Sequence, residues 1–336
     1  MLFSHVDNCQ GGDILSELKF ETHTLSATTA ERKKLKRRRM LKEYLVGYSF
    51  VSLPMFLFLV LNFGIFFYAI YISTYRWGIL GPRGFKGFGN YSAALHDPIF
   101  LKAIRNSILY ALLVVPMQTA LGLFLALLVN AKIKGSQFFR ATFYFPSLAS
   151  SAAITTLFIF LMAPDGVFNR FLHLFGINIH NLFNQGAWLS DSRTALFSII
   201  GLNAWTTSGT VMLFYLANLQ SIDNTYNEAA IVDGANKQQI FRFITLPLLK
   251  PAHFFVMATG MIGALQLYDQ AILAGGADGS PDYSLMTMVL YIYNACFRQF
   301  EFGYASSIGV ILFVIIFSLT MGQRILFGKG AWSGDE

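Results

Sequence analysis

Six times along this chain a stretch of more than twenty residues passes with at most one charged side chain, near 45–73, 107–131, 141–163, 194–218, 251–274 and 304–327. A helix needs about 20 apolar residues to cross the roughly 30 Å of a bilayer's hydrocarbon. In that medium every backbone N–H and C=O must find its partner inside the protein, which restricts spanning segments to helices or closed barrels. The expected fold class is therefore an all-α membrane protein of about six transmembrane helices. Composition agrees, because only 13% of residues are charged and 54% are hydrophobic, whereas a water-soluble domain carries about a quarter charged residues.

The net charge of +7 is concentrated near the amino terminus, where residues 1–43 end in Glu31-Arg32-Lys33-Lys34-Leu35-Lys36-Arg37-Arg38-Arg39. Such a block repels itself and reads as a polar, basic, disordered cytoplasmic head, an anchor rather than a surface for nucleic acid. With no apolar core and cleavage site ahead of the first run, that run is expected to be its own insertion signal. Of the 25 Lys and Arg, 17 fall on one side of alternating spans and 8 on the other. The positive-inside rule then places both termini and the loops 132–140 and 219–250 in the cytoplasm. The expected organisation is the head, a membrane domain over 44–330 and a tail at 331–336. Pro54, Pro116 and Pro146 are expected to kink the first three spans, and the small residues 149–153 to admit a close neighbouring helix.

Signatures of an enzyme are missing. The nearest approach to a phosphate-binding loop, Gly322 to Gly328-Lys329-Gly330, is one residue too long and lacks the hydroxyl residue that would meet Mg. No two of the six histidines share a helical face, Cys9 and Cys296 have no ligand spacing, and no serine sits in a Gly-x-Ser-x-Gly turn. The chain is expected to hydrolyse nothing and to hold no metal or cofactor.

Polar side chains inside two of the runs carry more meaning. Asn203, Thr206, Thr207 and Thr210 fall at i, i+3, i+4 and i+7 of the fourth run, with Trp205 beside them. Gln266, Asp269 and Gln270 repeat that spacing in the fifth, next to Tyr268. Asp269 is the one acidic residue within a run, and an intramembrane carboxylate is costly enough to mark a pathway. Asn203 and Gln266 each lie about nine residues, roughly 13 Å, from the outer end, so the two faces are expected to meet at one depth. Two other roles fit the same residues: hydrogen-bonded glue between helices, worth about 0.6–2 kcal/mol per contact, or an ion-coupled site at Asp269 in a secondary transporter.

Between these runs lies Glu228-Ala229-Ala230-Ile231-Val232-Asp233-Gly234, then nine residues, then Ile244-Thr245-Leu246-Pro247. The spacing predicts a short helix, a glycine that turns the chain sharply, and a second short helix ended by Pro247. This pattern resembles the EAA loop of binding-protein-dependent ABC importer permeases. Phe88-Gly89-Asn90-Tyr91 with Asp97-Pro98-Ile99-Phe100, Arg105-Asn106-Ser107, Phe139-Arg140 with Phe145-Pro146, and Gly166-Val167-Phe168-Asn169 extend the resemblance to the MalF-type permeases of carbohydrate importers, over about residues 44–327.

That resemblance implies a type I ABC importer permease fold in a cell membrane. It also implies a second, MalG-type permease chain, an ABC ATPase dimer that binds the ATP and Mg, and an extracytoplasmic solute-binding protein. Glu228, Ala229, Ala230, Asp233, Gly234, Ile244, Leu246 and Pro247 would couple the chain to the ATPase, small residues allowing close approach and Glu228 pairing with a basic residue. The solute would be an oligosaccharide, a disaccharide or a related polyol or glycerol phosphate. Asn203, Thr206, Gln266, Asp269 and Gln270 suit sugar hydroxyls, and Trp205 and Tyr268 suit its C–H faces.

Overall fold

A computed structural model describes residues 40–131, 135–176 and 187–327; the expectations for the head before residue 40 and for the 331–336 tail lie outside the described residues. The chain divides into two compact units, one up to Tyr68 and one from Ala69 onward. The described part of the first is most of helix α1 (Met40–Ser73), which carries a π turn over Leu59–Gly64 a few residues after Pro54. Residues 40–65 are all exposed.

The second unit begins with a two-stranded antiparallel hairpin, β1 (Tyr75–Gly78) and β2 (Gly81–Phe85), in register Tyr75 to Phe85 and Gly78 to Gly81. Helices follow in the order α2 (Gly89–Leu95), α3 (Pro98–Asn130), α4 (Ser136–Leu148), α5 (Ser151–Leu161), α6 (Val167–Leu174) and α7 (Ala195–Ser221). After these come α8 (Asn224–Val232), α9 (Lys237–Leu248), α10 (Lys250–Leu265), α11 (Asp269–Gly275), α12 (Met288–Tyr293) and α13 (Phe302–Phe327).

By length and apolarity α1, α3, α7 and α13 can each cross a membrane, and the total reaches six if each of two bent pairs is counted as one span. The third and fifth runs are therefore not the simple rods the hydropathy suggests. The third is split into α4 and α5, which meet at 95°: Pro146 removes a donor near the end of α4 and Ala149 is extended. The fifth is interrupted at Gln266–Tyr268 between α10 and α11. Pro116, by contrast, lies inside α3 without ending it.

The pair α3 and α7 forms the spine. Tyr110 meets Asn203, Gln118 meets Thr207, and a Cβ on Gly122 would lie 2.3 Å from Val211 Cγ1. The partners advance together, so the helices run parallel, as alternate spans must when both cross in the same direction. Only glycine at 122 lets them close to this distance. Helix α10 runs the other way, with Phe255 against Phe214 and His253 against Tyr215.

Two apolar cores lie along this spine. One gathers Phe100, Tyr110, Val114, Ile199, Leu265, Leu290 and Ile308 at the end where α3 and α7 begin. The other gathers Ala126, Met212, Tyr215, Leu249 and Val256 where they end. Gln118 and Thr207 sit between the two, so apolar packing gives way to a polar layer partway along the bundle.

Candidate functional site

At that polar layer α3, α7, α10 and the α10–α11 break enclose a cavity of 570 Å³. Its polar lining includes Gln118, Asn203, Thr207, Thr210, Gln266, Tyr268, Asp269 and Gln270. A neighbouring cavity of 230 Å³ adds Ser147, Thr155 and Thr206 and shares Ser151, Asn203, Thr207, Thr210 and Gln270. The structure thus brings together the two faces expected from helical spacing, although the second is not a regular helical face. Gln266 caps the end of α10 and Asp269 opens α11, where the peptide dipoles of the first turn favour a carboxylate. Asp269 and Gln266 are exposed to the cavity side of the fold while Gln270 is held, its Nε2 donating to Ser151 Oγ at 2.9 Å. Ser151 belongs to the small-residue stretch, which does admit a neighbour, namely α11 against α5.

Two of the expected residues do part of the work of glue. The Asn203 amide donates to the Tyr110 hydroxyl, and Thr207 Oγ1 donates to Gln118 Oε1 at 2.7 Å. Trp205 does not join the site: it is 53% exposed and lines neither cavity. Two residues of helix turn the chain by about 200°, so a side chain two positions after Asn203 points away from what Asn203 faces. Tyr110 and Gln118 are the site residues missed by sequence reasoning. Gln118 carried a usable signal, as an amide midway along the apolar second run. No cation lines the larger cavity, and among the described residues no three His, Cys, Asp or Glu converge to hold a metal ion.

Beyond the far end of α7 the chain makes a separate feature from α8 and α9. Asp223 caps α8 by accepting from the Thr225 N–H at 3.0 Å. The helix closes with Ala235 N–H donating to Ala230 O at 2.9 Å around Gly234, whose φ is +80°, a left-handed position that costs other residues about 1–2 kcal/mol. Asn236 and Gln239 then form a reciprocal capping box that starts α9. Helix α9 passes through a π turn at Phe241–Thr245 and ends at Leu248, so Pro247 does not stop it as expected. Lacking an N–H, Pro247 cannot serve the carbonyl four residues back, and the ladder shifts register there before the chain bends by 62° into α10.

Of the expected coupling residues, Glu228, Ala229, Asp233 and Gly234 are exposed and Ala230 is buried. Asp233, Gly234 and Ile244 line a shallow hollow together with Phe243, while Leu246 and Pro247 lie outside it on the exposed surface. Val232, 87% exposed, stands with Ile231 and Phe243 as uncovered apolar surface.

The opposite end of the bundle is organised by Asp97, known from sequence only as part of the Asp97-Pro98-Ile99-Phe100 motif. It caps α3 by accepting from Ile99 N–H at 2.9 Å, and it also accepts from the hydroxyls of Tyr291 and of Tyr304, the latter at 3.1 Å. Desolvation pushes its carboxyl up, but the Tyr291 hydroxyl, the Ile99 N–H and the Tyr304 hydroxyl together hold it below the usual carboxylate range.

Residues 118–329 match the family described as binding-protein-dependent transport system inner membrane component. Over 291 residues the chain is 32% identical to the probable ABC transporter permease protein YurN of Bacillus subtilis (strain 168), covering 85% of this chain and 97% of that one. It is 35% identical to the lactose transport system permease protein LacF of Rhizobium radiobacter over 71% of this chain and 80% of that one. With the multiple sugar-binding transport system permease protein MsmF of Streptococcus mutans it shares 31% identity, over 83% and 93%. Its fold is similar to that of a chain in the crystal structure of a bacterial alginate ABC transporter in complex with an alginate pentasaccharide-bound periplasmic protein, with a TM-score of 0.74 at 20% identity over 88% of this chain and 99% of that one.

Proposed function

This chain belongs to the family of binding-protein-dependent transport system inner membrane components, multi-pass cell-membrane proteins with no ATPase site of their own, and from that premise we propose that it passes a neutral sugar through the membrane as one permease of an ABC importer. The observation that carries the substrate class is the 570 Å³ cavity, where amides, hydroxyls and a single carboxylate, with no cation, are set among the apolar side chains Val114, Val211, Phe214, Phe255 and Val256 beside the Tyr268 ring. Sugar hydroxyls need donors and acceptors together, which Gln266, Asp269 and Thr210 offer, and an aromatic face suits the C–H side of a ring. The names of LacF, MsmF and the arabinooligosaccharides permease AraP of Halalkalibacterium halodurans support the same class. An anionic solute such as a glycerol phosphate is served less well by a cavity that holds Asp269 and no Lys or Arg.

The energy enters at the α8–α9 hairpin. Its exposed Ala229 and Gly234 permit close approach, Glu228 offers a charge, and Ile231, Val232 and Phe243 offer the apolar grip that an ATPase subunit would cover. Closure of an ATPase dimer with ATP and Mg would draw this hairpin and that of a second permease together and rotate the spans, opening the cavity alternately to each side. An extracytoplasmic binding protein would deliver the solute. The ion-coupled alternative at Asp269 is not favoured, because the relatives are ABC transporter permeases.

The test is uptake of radiolabelled lactose and arabinooligosaccharides into vesicles holding the chain with its partner permease, ATPase and binding protein. Uptake that requires ATP and all the partners is the expected result. Sugar movement by this chain alone, driven by an ion gradient, would overturn it.

A further inference from the structure

The hairpin β1–β2 and the start of α13 enclose a second large cavity, of 640 Å³, that no part of the transport reading uses. Arg76, Arg83 and Lys86 line it against one carboxylate, Glu301. None of the three cations is paired: the ion pairs among the described residues are Lys102 with Asp282 and Arg298 with Asp278. Three positive side chains around one polar cavity repel one another, and an anion seated among them would relieve that.

The scaffold beneath them is firmly tied. Asn90 Nδ2 donates to the carbonyls of Ser73 and Tyr75 at 2.8 and 2.9 Å, and the N–H groups of Lys86 and Gly87 both donate to Thr74 O at 2.9 Å. Gly303 brings α13 so close to the hairpin that a Cβ there would lie 2.1 Å from Tyr75 O.

What surrounds the cavity identifies the anion. It lies beside Ser73, the last residue of one apolar helix long enough to cross a membrane, and Phe302, the first residue of another. Tyr71, Tyr75, Trp77 and Phe85 form a ring cluster beside it, with centroids 4.8–6.5 Å apart, as expected of an interfacial belt. The hairpin tip is Ile79-Leu80, with Leu80 91% exposed, and Phe85 and Phe88 are also uncovered. Cations flanked by exposed aliphatic and aromatic side chains fit the boundary between headgroups and acyl chains rather than open water.

We infer that this cavity binds the phosphodiester of an anionic phospholipid, in the leaflet at the end of the bundle opposite the α8–α9 hairpin. Arg76, Arg83 and Lys86 hold the phosphate while Ile79 and Leu80 enter the upper acyl region.

The test titrates the full chain, purified within its transporter complex and delipidated, with phosphatidylglycerol, phosphatidylcholine and inorganic phosphate, and reads bound lipid by native mass spectrometry. Phosphatidylglycerol is expected to be retained over phosphatidylcholine, about thirtyfold less tightly in Arg76→Ala/Arg83→Ala, and close to normally in Arg76→Lys/Arg83→Lys and in Lys102→Ala. Leu80→Ser, which disturbs no buried contact, should weaken retention severalfold, and it keeps the question answerable if the double alanine variant does not fold. Equal retention in wild type and these variants would overturn the site. Displacement of the lipid by inorganic phosphate would overturn the lipid as its source. Unchanged lipid retention with lost binding-protein association in the arginine variants would give the cavity to an acidic protein surface, and would also overturn the inference.

Discussion

Where α3 and α7 begin, side chains tie together segments far apart in the chain. Asn106 Nδ2 donates to the carbonyls of Tyr283 and Met286, Ser107 Oγ accepts from Met288 N–H, Thr287 donates to Leu267 O, and Asp97 gathers Tyr291 and Tyr304. Beyond the end of α7, the α8–α9 hairpin is shaped by bonds spanning two to five residues, Asp223 to Thr225, Asn236 to Gln239 and Ala235 to Ala230, and leaves Ile231, Val232 and Phe243 uncovered. Each arrangement has a physical consequence. An end whose polar groups bond one another over long sequence separations is stable as it stands, and substitutions there register in stability. An end that keeps its shape by local caps and turns apolar surface outward gains by being covered, and substitutions there register in assembly.

The sharpest way to break this contrast is Gly234→Trp. The position is exposed with φ +80° and nothing within 4 Å of an added Cβ, so the chain should insert and keep its own fold at a cost of about 1–2 kcal/mol. Sugar uptake by the assembled importer should nevertheless fall by about a hundredfold or more, the loss of a hot-spot contact, with recovery of the ATPase in pull-downs reduced alongside. Full uptake would mean the hairpin is no partner surface.

The converse substitution is Asp97→Ala. It leaves the first turn of α3 uncapped and two tyrosine hydroxyls without their acceptor, which should lower stability by about 2–4 kcal/mol, read as a lower melting temperature in detergent. ATPase recovery from the folded fraction should stay as in wild type. A variant that melts normally but loses its ATPase would invert the assignment of the two ends.

Titration sharpens the same point. The folded-state carboxyl of Asp97 is held below its ordinary value, so its contribution is fully present above the unfolded value of about 3.9 and is lost as pH falls through the lower folded value. The melting difference between wild type and Asp97→Asn should therefore be constant from neutral pH down to about pH 5 and shrink at more acid pH. A difference that instead grew on acidification would show that Asp97 is not the stabilising anion.

This division also accounts for what the sequence made legible. The spans at α3, α7 and α13, the two-helix hairpin and its glycine turn, and the meeting of the Asn203 and Gln266 faces follow from hydropathy, helical spacing and turn chemistry, all local properties. Pro146 signalled the bend between α4 and α5, whereas the break at Gln266–Tyr268 was hidden because an apolar run reads the same straight or broken. Asp97-Pro98 is a recognisable helix start, yet its partners Tyr291 and Tyr304 lie some two hundred residues onward, and no spacing rule links them. The hairpin over Tyr75–Phe85 escaped notice because Ile79-Leu80 is not the polar pair expected between strands.

Within the transport cavity the contrast narrows to two positions that sequence spacing treated alike. Asp269 lines the 570 Å³ cavity and is exposed to it, with no hydrogen-bonded partner among the described contacts. Asp269→Ala should therefore cut sugar uptake by about tenfold, the worth of a charge-assisted hydrogen bond to a solute hydroxyl, while ATPase recovery stays unchanged. Trp205 lines neither cavity, and Trp205→Ala should leave uptake within about twofold of wild type, as expected of an exposed side chain away from the site. Uptake measured for both variants in one vesicle preparation decides between a solute-facing role and helix glue. Glue predicts that Asp269→Ala is as silent as Trp205→Ala, since Asp269 bonds no neighbouring helix. A loss confined to Trp205→Ala would instead move the solute path to the other face of α7, away from the polar layer that separates the two apolar cores.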